Sequence, residues 1–370
     1  MQLNIQAPIN RLSYGIMSCN IIKEMVKLGT DITLFPVGKT EIPTEIFEDL
    51  SGEDKLKIAN AASKQSEDFA GKKSLRIYHA TDLAPRIGKG RHIGFTAFEL
   101  DAFTGREKAN MAACDKVMTC SEWGYNVLKN NNVKHSCYSP LGVDRSIFNE
   151  NITSSPANIL RDSKEKFIFL HVGKAEKRKS TLEIVEAFNM AFSDKDNVEL
   201  WMCCYNPFLN KQEEEYWYNK IAGYRDNRLW SKTKLISRPL PTQKDIADIM
   251  IQADCGVFLH HSEGWGMPIL EMMSCGKDIV VTNYSGSTEF CNKHNSFLID
   301  IDELEEARDD KFFKNSVGKW AKIGLNQIER MSNGMKRTYQ RGRNLNINGI
   351  ETAKQFTWQK TATKILEQFN

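Results

Sequence analysis

The chain has 370 residues, with 50 Lys and Arg against 47 Asp and Glu and a formal charge of +3, so it is neither one small domain nor a generally polycationic protein. Hydrophobic residues at 41%, charged residues at 26% and aromatics at 10% exclude wholesale disorder. The opening MQLNIQAPINRLSYG has no basic segment followed by an apolar one, and no run reaches the ~18 apolar residues of a membrane span, so neither secretion nor membrane insertion is expected.

Short apolar strands alternate with amphipathic helices through the first half. Leu3–Gln6 reads as a strand, Ser18–Leu28 as a helix with Ile21, Ile22, Met25 and Leu28 at helical spacing, and Asp31–Phe35 as the next strand. Further strands are expected at Ser74–Tyr78, His92–Thr96, Lys116–Cys120 and Ser136–Tyr138, with helices near Gly105–Ala113 and Glu122–Asn130. Strands separated by helices imply parallel pairing in an α/β layer. Asn149–Lys166 is polar, holds Pro156 and has the turn chemistry of a linker.

A second alternation follows. Strands are expected at Phe167–Val172, Val198–Cys203, Lys234–Ser237, Cys255–His260, Asp278–Thr282 and Ser296–Ile299. Helices are expected at Thr181–Phe192, Gln212–Ala222, Gln243–Gln252 and Met267–Ser274. The tail reads as two helices, Asn315–Met331 and Thr352–Phe369. The expected fold is α/β, two Rossmann-like doubly wound domains facing a cleft, with ligands at the carboxyl ends of the strands.

The nine cysteines are scattered without a C-x-x-C pair, which suits reduced thiols in a cytoplasm and argues against a zinc site. Asp194-Lys195-Asp196 imitates a D-x-D metal motif but lies in a polar turn, so no metal is expected.

Two strand-to-helix turns carry the chemistry. His260–Glu271 (HHSEGWGMPILE) leaves an apolar strand and opens a helix. Gly264 and Gly266 permit close backbone approach, Pro268 suits a first helical turn, and the free N–H groups there favour an anion. Glu271 can accept hydrogen bonds from a sugar diol. Adjacent strand residues point to opposite faces, so at most one of His260 and His261 is expected to face the cleft, in a positioning role.

The other turn, His171–Ser180 (HVGKAEKRKS), places Lys174, Lys177, Arg178 and Lys179 where a helix begins. Cations there oppose the helix dipole, and a bound anion would remove the conflict. Together the turns suggest a nucleoside-diphosphate site.

These motifs resemble the retaining GT-B glycosyltransferases of the family-4 type. The family's E-x7-E signature stands as Glu263 to Glu271 in EGWGMPILEMMSCG. Its G-R-x-x-x-x-K-G signature stands as Gly173-Lys174 through Lys179-Ser180, with Lys for Arg and Ser for the last Gly. IGFTAFELD (Ile93–Asp101), CSEW (Cys120–Trp123), PLGVDRSIF (Pro140–Phe148) and the closing FTWQKTATKILEQF are similar to further family segments.

The resemblance implies a GT-B fold with an acceptor-binding domain over 1–150 and a nucleotide-sugar-binding domain over 165–350. A C-terminal helix, 351–370, would pack back on the first domain. It implies a cytoplasmic enzyme, metal-independent and without a cofactor, using a nucleotide-sugar donor such as a UDP-sugar. Lys174 and Lys179 would hold the diphosphate and Glu263 would contact the transferred sugar. Glu271 would bind the ribose, Gly266 and Met267 would add amide contacts beside Gly173 and Gly264, and Gly15 would approach from the first domain. The first-domain histidine of the family is missing from IGFTAF; His79, His92 and Glu99 are the acceptor-side candidates.

Lys72–His92 holds six Lys and Arg against Asp82, and Lys314–Arg343 holds eight against Glu329. They suit a solvated face or an anionic acceptor: a membrane surface, a phosphorylated glycan or DNA. A phage-type enzyme glycosylating hydroxymethylated DNA bases is therefore an alternative. A non-catalytic nucleotide-sugar-binding protein is another, as is a phosphorylase or epimerase of similar architecture.

Overall fold

The computed structural model describes residues 1–66, 71–155, 160–162, 165–224, 229–309, 311–314 and 316–370, so Pro156 and Asn315 lie outside the described residues. The chain forms two compact units, Met1–Asp144 with Phe356–Asn370, and Arg145–Gln355.

The first unit runs β1 (Gln2–Ala7), α1 (Ser13–Lys27), β2 (Asp31–Pro36), α2 (Gly52–Ala61), β3 (Lys73–Ile77), β4 (His92–Phe95), α3 (Gly105–Ala112), β5 (Lys116–Thr119), α4 (Glu122–Asn130) and β6 (Ser136–Tyr138). Its six strands pair in the order β2-β1-β3-β4-β5-β6, all parallel. Leu3, Ile5, Leu75, Ile77, Ile93 and Phe95 are fully buried in this sheet. α1 begins five residues before the expected Ser18, because Ser13–Gly15 add a turn that apolar spacing does not mark. α2, unforeseen in the sequence, starts where Ser51 accepts the Asp54 N–H at 3.1 Å, an N-cap on a helix with a single buried residue.

The second unit continues with β7 (Phe167–Val172), α5 (Thr181–Ala191), β8 (Val198–Cys203), α6 (Lys211–Tyr224), β9 (Thr233–Ile236), α7 (Gln243–Gln252), β10 (Cys255–Phe258), α8 (Met267–Ser274), β11 (Asp278–Thr282), β12 (Phe297–Ile299), β13 (Leu304–Glu306), β14 (Lys319–Ala321), α9 (Leu325–Arg341) and α10 (Ile347–Gln355). Its six-stranded sheet is ordered β12-β11-β10-β7-β8-β9, again parallel throughout. Strand order reverses between β7 and β10, which opens a crevice beyond their carboxyl ends.

The tail departs from the expected helices. Asn315–Met331 is not one helix: β14 pairs antiparallel with β13, and α9 starts only after Gly324, whose N–H is capped by Gln327 Oε1 at 3.1 Å. Thr352–Phe369 is also interrupted. α10 ends at Gln355, and α11 (Trp358–Glu367) restarts with Thr357 as its N-cap, packing against α1 of the first unit. No described helix is long and apolar enough to cross a membrane, and all nine cysteines are unpaired.

Candidate functional site

In the second unit, the loops after β7 and β10 meet at the switch point. β7 is a buried apolar run that ends in His171 and Val172. The His171 Nδ1 donates to the Val257 carbonyl at 2.9 Å, since a carbonyl can only accept; Nε2 is then the bare nitrogen, and burial pushes the ring's pKa down to about 4. After Gly173 the chain makes one tight turn, Lys177–Lys179, and enters α5 through Ser180, which adopts a left-handed φ of 49°.

Five charged groups alternate in sign across the two loops. Lys174 Nζ lies 3.5 Å from Glu176 Oε2, and Glu176 Oε1 accepts from Arg178 Nη2 at 2.7 Å. Arg178 Nη1 donates to the Ser262 carbonyl at 2.8 Å and sits 3.2 Å from Glu263 Oε2. Glu263 Oε1 accepts from Lys179 Nζ. Burial raises the Glu263 pKa, but Lys179 and Arg178 outweigh it and hold the carboxyl well below the usual carboxylate range. Lys174 also lies over Phe208 and Phe312, 4.9 and 5.2 Å from their ring centres.

The backbone of Glu263 is clamped by a third loop, the one after β11. Its N–H donates to Ser285 Oγ at 2.8 Å, and its carbonyl accepts the Gly286 N–H at 2.9 Å. A Cβ on Gly286 would fall 2.1 Å from the Gly264 carbonyl oxygen, so only glycine allows this approach. Gly266, at φ 93°, turns the chain into α8, with Pro268 in the first turn. The N–H groups of Gly266 and Met267 have no acceptor among the described residues. Glu271 lies one turn further, half-buried between the fully buried Leu270 and Met272. Its carboxyl group has no hydrogen-bonding or ionic partner among the described residues, and burial pushes its pKa up to about 8.

Gly173, Lys174, Lys179, Glu263, Gly264, Gly266, Met267 and Glu271 thus all stand on the two switch-point loops or on α8. Lys179 and Glu263 touch directly, and Lys174 is linked to them through Glu176 and Arg178. The clustered cations already have partners within the protein: Glu176 and Glu263 pair with Lys174, Arg178 and Lys179, while Lys177 donates to the Arg308 carbonyl at 3.0 Å. The strand argument for His260 and His261 also fails, because β10 ends at Phe258. Both rings are buried as struts, His260 Nε2 on Ser287 Oγ at 3.2 Å and His261 Nδ1 on the Ala321 carbonyl at 2.7 Å.

In the first unit the strand order reverses between β1 and β3, and Gly15 and His79 belong to the segments that follow these strands. Gly15 packs in the first turn of α1 against the Asn10 backbone. The exposed His79 ring lies 4.5 Å from Tyr14 and 4.9 Å from Tyr78. Tyr14 ties this edge to the segment after β4: its hydroxyl donates to the Ala97 carbonyl at 2.7 Å and accepts the Ala97 N–H at 2.9 Å, near the half-buried Glu99. His92 is corrected. It starts β4, at the amino edge of the sheet, fully buried, with Nδ1 3.2 Å from Ser74 Oγ and Nε2 2.9 Å from the Leu83 carbonyl, so it has no surface to offer an acceptor.

Sequence reading missed Glu176, Ser285, Gly286 and Tyr14, and gave Arg178 no role beyond its charge. The Ser285-Gly286-Ser287 cluster directly after an apolar strand was the readable signal for the third loop.

Part of each basic stretch is engaged within the protein. In the first, Lys73 donates to the Phe369 carbonyl at 2.5 Å, Arg76 to Asp82 Oδ2 at 2.5 Å and Arg86 to the Gly90 carbonyl at 2.6 Å, and Arg91 approaches the Asn370 carbonyl at 3.4 Å. In the second, Lys322 pairs with Glu303 at 2.7 Å, Arg330 with Asp302 at 2.8 Å, Arg343 with Asp254 at 3.1 Å, and Arg341 with Asp278. Asp196 of the D-x-D sequence accepts from the Ser193 N–H at 2.7 Å.

Residues 156–311 match the family model described as Glycosyl transferases group 1. No curated protein matches the sequence at a significant level. Among solved structures, sucrose-phosphate synthase from Thermosynechococcus elongatus is similar with a TM-score of 0.70 at 14% identity, over 100% of this chain and 98% of that one. HepE from Anabaena, in complex with UDP and glucose, gives 0.65 at 15%, over 100% and 99%. A trehalose-phosphate synthase from Burkholderia xenovorans, in complex with glucose-6-phosphate, gives 0.68 at 9%, over 100% of both chains. These likenesses, with the two parallel sheets, show the GT-B fold.

Proposed function

With a group 1 glycosyltransferase domain over 156–311 as the premise, we propose that this protein is a retaining glycosyltransferase moving a sugar from a nucleoside-diphosphate sugar to an acceptor hydroxyl. The observation that carries the reading is the meeting of Lys179, Glu263 and the α8 amides at the switch point of the second sheet. Breaking the bond to a diphosphate builds negative charge on the leaving group. Lys179, Lys174 and the Gly266 and Met267 N–H groups stand ready to stabilise it there, as preorganised donors do. Two lysines supply charge that a metal supplies elsewhere, so the reaction on this reading is metal-independent and needs no cofactor.

Glu271, without a protein partner, accepts the ribose hydroxyls, and Glu263 accepts from the transferred sugar. The UDP and glucose bound by HepE support a uridine donor. In the first unit His79 and Glu99 are the acceptor-side residues and Gly15 is a donor-side one; the engaged cations of Lys72–His92 weaken the DNA-modifying alternative. Nine unpaired thiols suit the cytoplasm.

The test is a thermal-shift series with UDP-, GDP- and ADP-sugars on wild type and Glu271→Ala, followed by release of nucleoside diphosphate and NMR of the product's anomeric configuration. One donor should stabilise the wild type and shift Glu271→Ala far less. Equal shifts contradict the ribose assignment, binding without release leaves a non-catalytic sugar-nucleotide binder, and an inverted anomer removes retention.

A further inference from the structure

We propose that Arg178 is a positioning residue that holds the Glu263 carboxylate in place while a donor diphosphate draws Lys179 away; this rests on the donor-site reading above. The two oxygens of Glu263 are taken by different cations, Oε1 by Lys179 and Oε2 by Arg178. These cations differ in freedom. Lys179 is a half-buried, flexible side chain whose ammonium pairs with Glu263. Arg178 is 5% exposed and anchored twice more, on Glu176 Oε1 at 2.7 Å and on the Ser262 carbonyl at 2.8 Å. Its own carbonyl accepts the His261 N–H at 2.8 Å, which ties the two loops together through one residue. A phosphate can therefore compete for the lysine and not for the arginine.

The exchange frees Oε1 for a sugar hydroxyl. Without Arg178, the same exchange would strand a buried carboxylate, whose penalty is severe. The other titratable groups bearing on Glu263 are His171, from the end of β7, and His260, from the loop after β10. Burial brings both to about 4, so neither carries charge at neutral pH. The Ser285 loop meets the Glu263 backbone, through the Ser285 hydroxyl on its N–H and the Gly286 N–H on its carbonyl. Glu263 would then bind the donor only by taking up a proton.

Isothermal titration checks this. UDP, GDP and ADP are titrated into wild type at pH 7.5, and the tightest is carried forward in two buffers of different ionisation enthalpy, which counts protons. Arg178→Gln should bind it about ten- to hundredfold more weakly and take up about one proton more than wild type. Taking the difference between the two proteins cancels the protonation of Glu271 and of the nucleotide. Affinity within twofold of wild type with an unchanged proton count overturns the proposal.

If circular dichroism shows Arg178→Gln unfolded, Arg178→Lys replaces it. That variant keeps the charge and loses the fork, so weaker binding with the wild-type proton count supports the proposal, and wild-type affinity overturns it. Lys179→Ala separates the two layers. If it binds nucleotide as well as wild type does, the donor-site reading falls. If it loses affinity while Arg178→Gln does not, only the role of Arg178 falls.

Discussion

The loop after β7 and the amino edge of the first sheet are both crowded with cations, and they use them in opposite ways. At the amino edge, Lys73 and Arg91, at the starts of β3 and β4, reach carbonyls of Phe369 and Asn370, and Lys116, at the start of β5, reaches Gln368 Oε1 at 2.8 Å. They complement the last turn of α11, where a helix dipole is negative. In the β7 loop the cations meet carboxylates at the carboxyl ends of the strands, where on the proposed reading Lys179 exchanges its partner for a phosphate. Charge density in a sequence is therefore a poor guide to anion binding. The end of the strand on which a cation lies, and what already holds it, decide between structural and functional use.

The sharpest break of this comparison is a pair of single variants. Lys179→Ala should slow nucleoside-diphosphate release by about a hundredfold or more, the scale of losing one preorganised donor to a leaving group. Lys73→Ala should leave turnover unchanged and lower stability by about 0.5–1 kcal/mol through a lost charge-assisted contact at a helix end. A Lys73→Ala protein with Lys179→Ala kinetics would erase the distinction. Rates under saturating donor, with thermal midpoints beside them, decide.

Gly286→Ala asks whether the carboxylate loop must be held as tightly as its cations. The new methyl group would overlap the Gly264 carbonyl, so either the Ser285 loop or the Glu263 loop must move. Overpacking of this kind costs about 1–3 kcal/mol. Because the moving segment carries Glu263, turnover should fall by about tenfold or more even at temperatures where the variant stays folded. Wild-type turnover in a folded Gly286→Ala protein would show that the clamp is dispensable.

Glu271 supplies the pH test, and it contrasts an unpaired acid with the doubly paired Glu263. Its pKa is pushed up from 4.5 to about 8 by burial. Between those values the folded protein keeps a proton that the unfolded chain releases, so stability falls as pH rises across the window and levels off above it. Glu271→Gln should remove that slope, worth at most a few kcal/mol for a half-buried group. Nucleotide affinity in wild type should rise from pH 6 to 8, as the carboxylate form becomes available to the ribose, and stay flatter in Glu271→Gln. Parallel pH profiles would break the assignment.

These contrasts also show what the sequence could and could not reveal. Strands such as Phe167–Val172 and Asp278–Thr282 stand at their expected places because a buried parallel strand is a continuous apolar run. The loops carrying Lys179 and Glu263, and the start of α8 that carries Glu271, were legible because glycine, proline and charge follow such runs. The ion chain was not, because Lys179 meets Glu263 across 84 residues between loops, and a window along the chain sees only neighbours. The basic stretch 314–343 misled for the same reason: Asp254, Asp278 and Asp302 lie outside it. β14 was hidden within an amphipathic-looking tail whose strand pairing depends on β13.

The smallest effect expected concerns the one motif position where the chain departs from a glycine. Ser180 enters α5 at φ 49° and ψ 45°, a left-handed conformation that costs a non-glycine residue roughly 1 kcal/mol. Its hydroxyl is fully buried and has no hydrogen-bond partner among the described residues. Ser180→Gly should relieve both penalties, offset in part by glycine's greater freedom in the unfolded chain, for a net gain of about 1 kcal/mol. Ser180→Ala separates the causes: it discards the hydroxyl and keeps the strain, so its gain should be smaller. Chemical denaturation of the three proteins reads the difference. If alanine stabilises as much as glycine does, the buried hydroxyl and not the backbone is the source. If neither stabilises, the serine is held by interactions that outweigh its strain, and the β7 loop is more rigid than its exchangeable lysine requires.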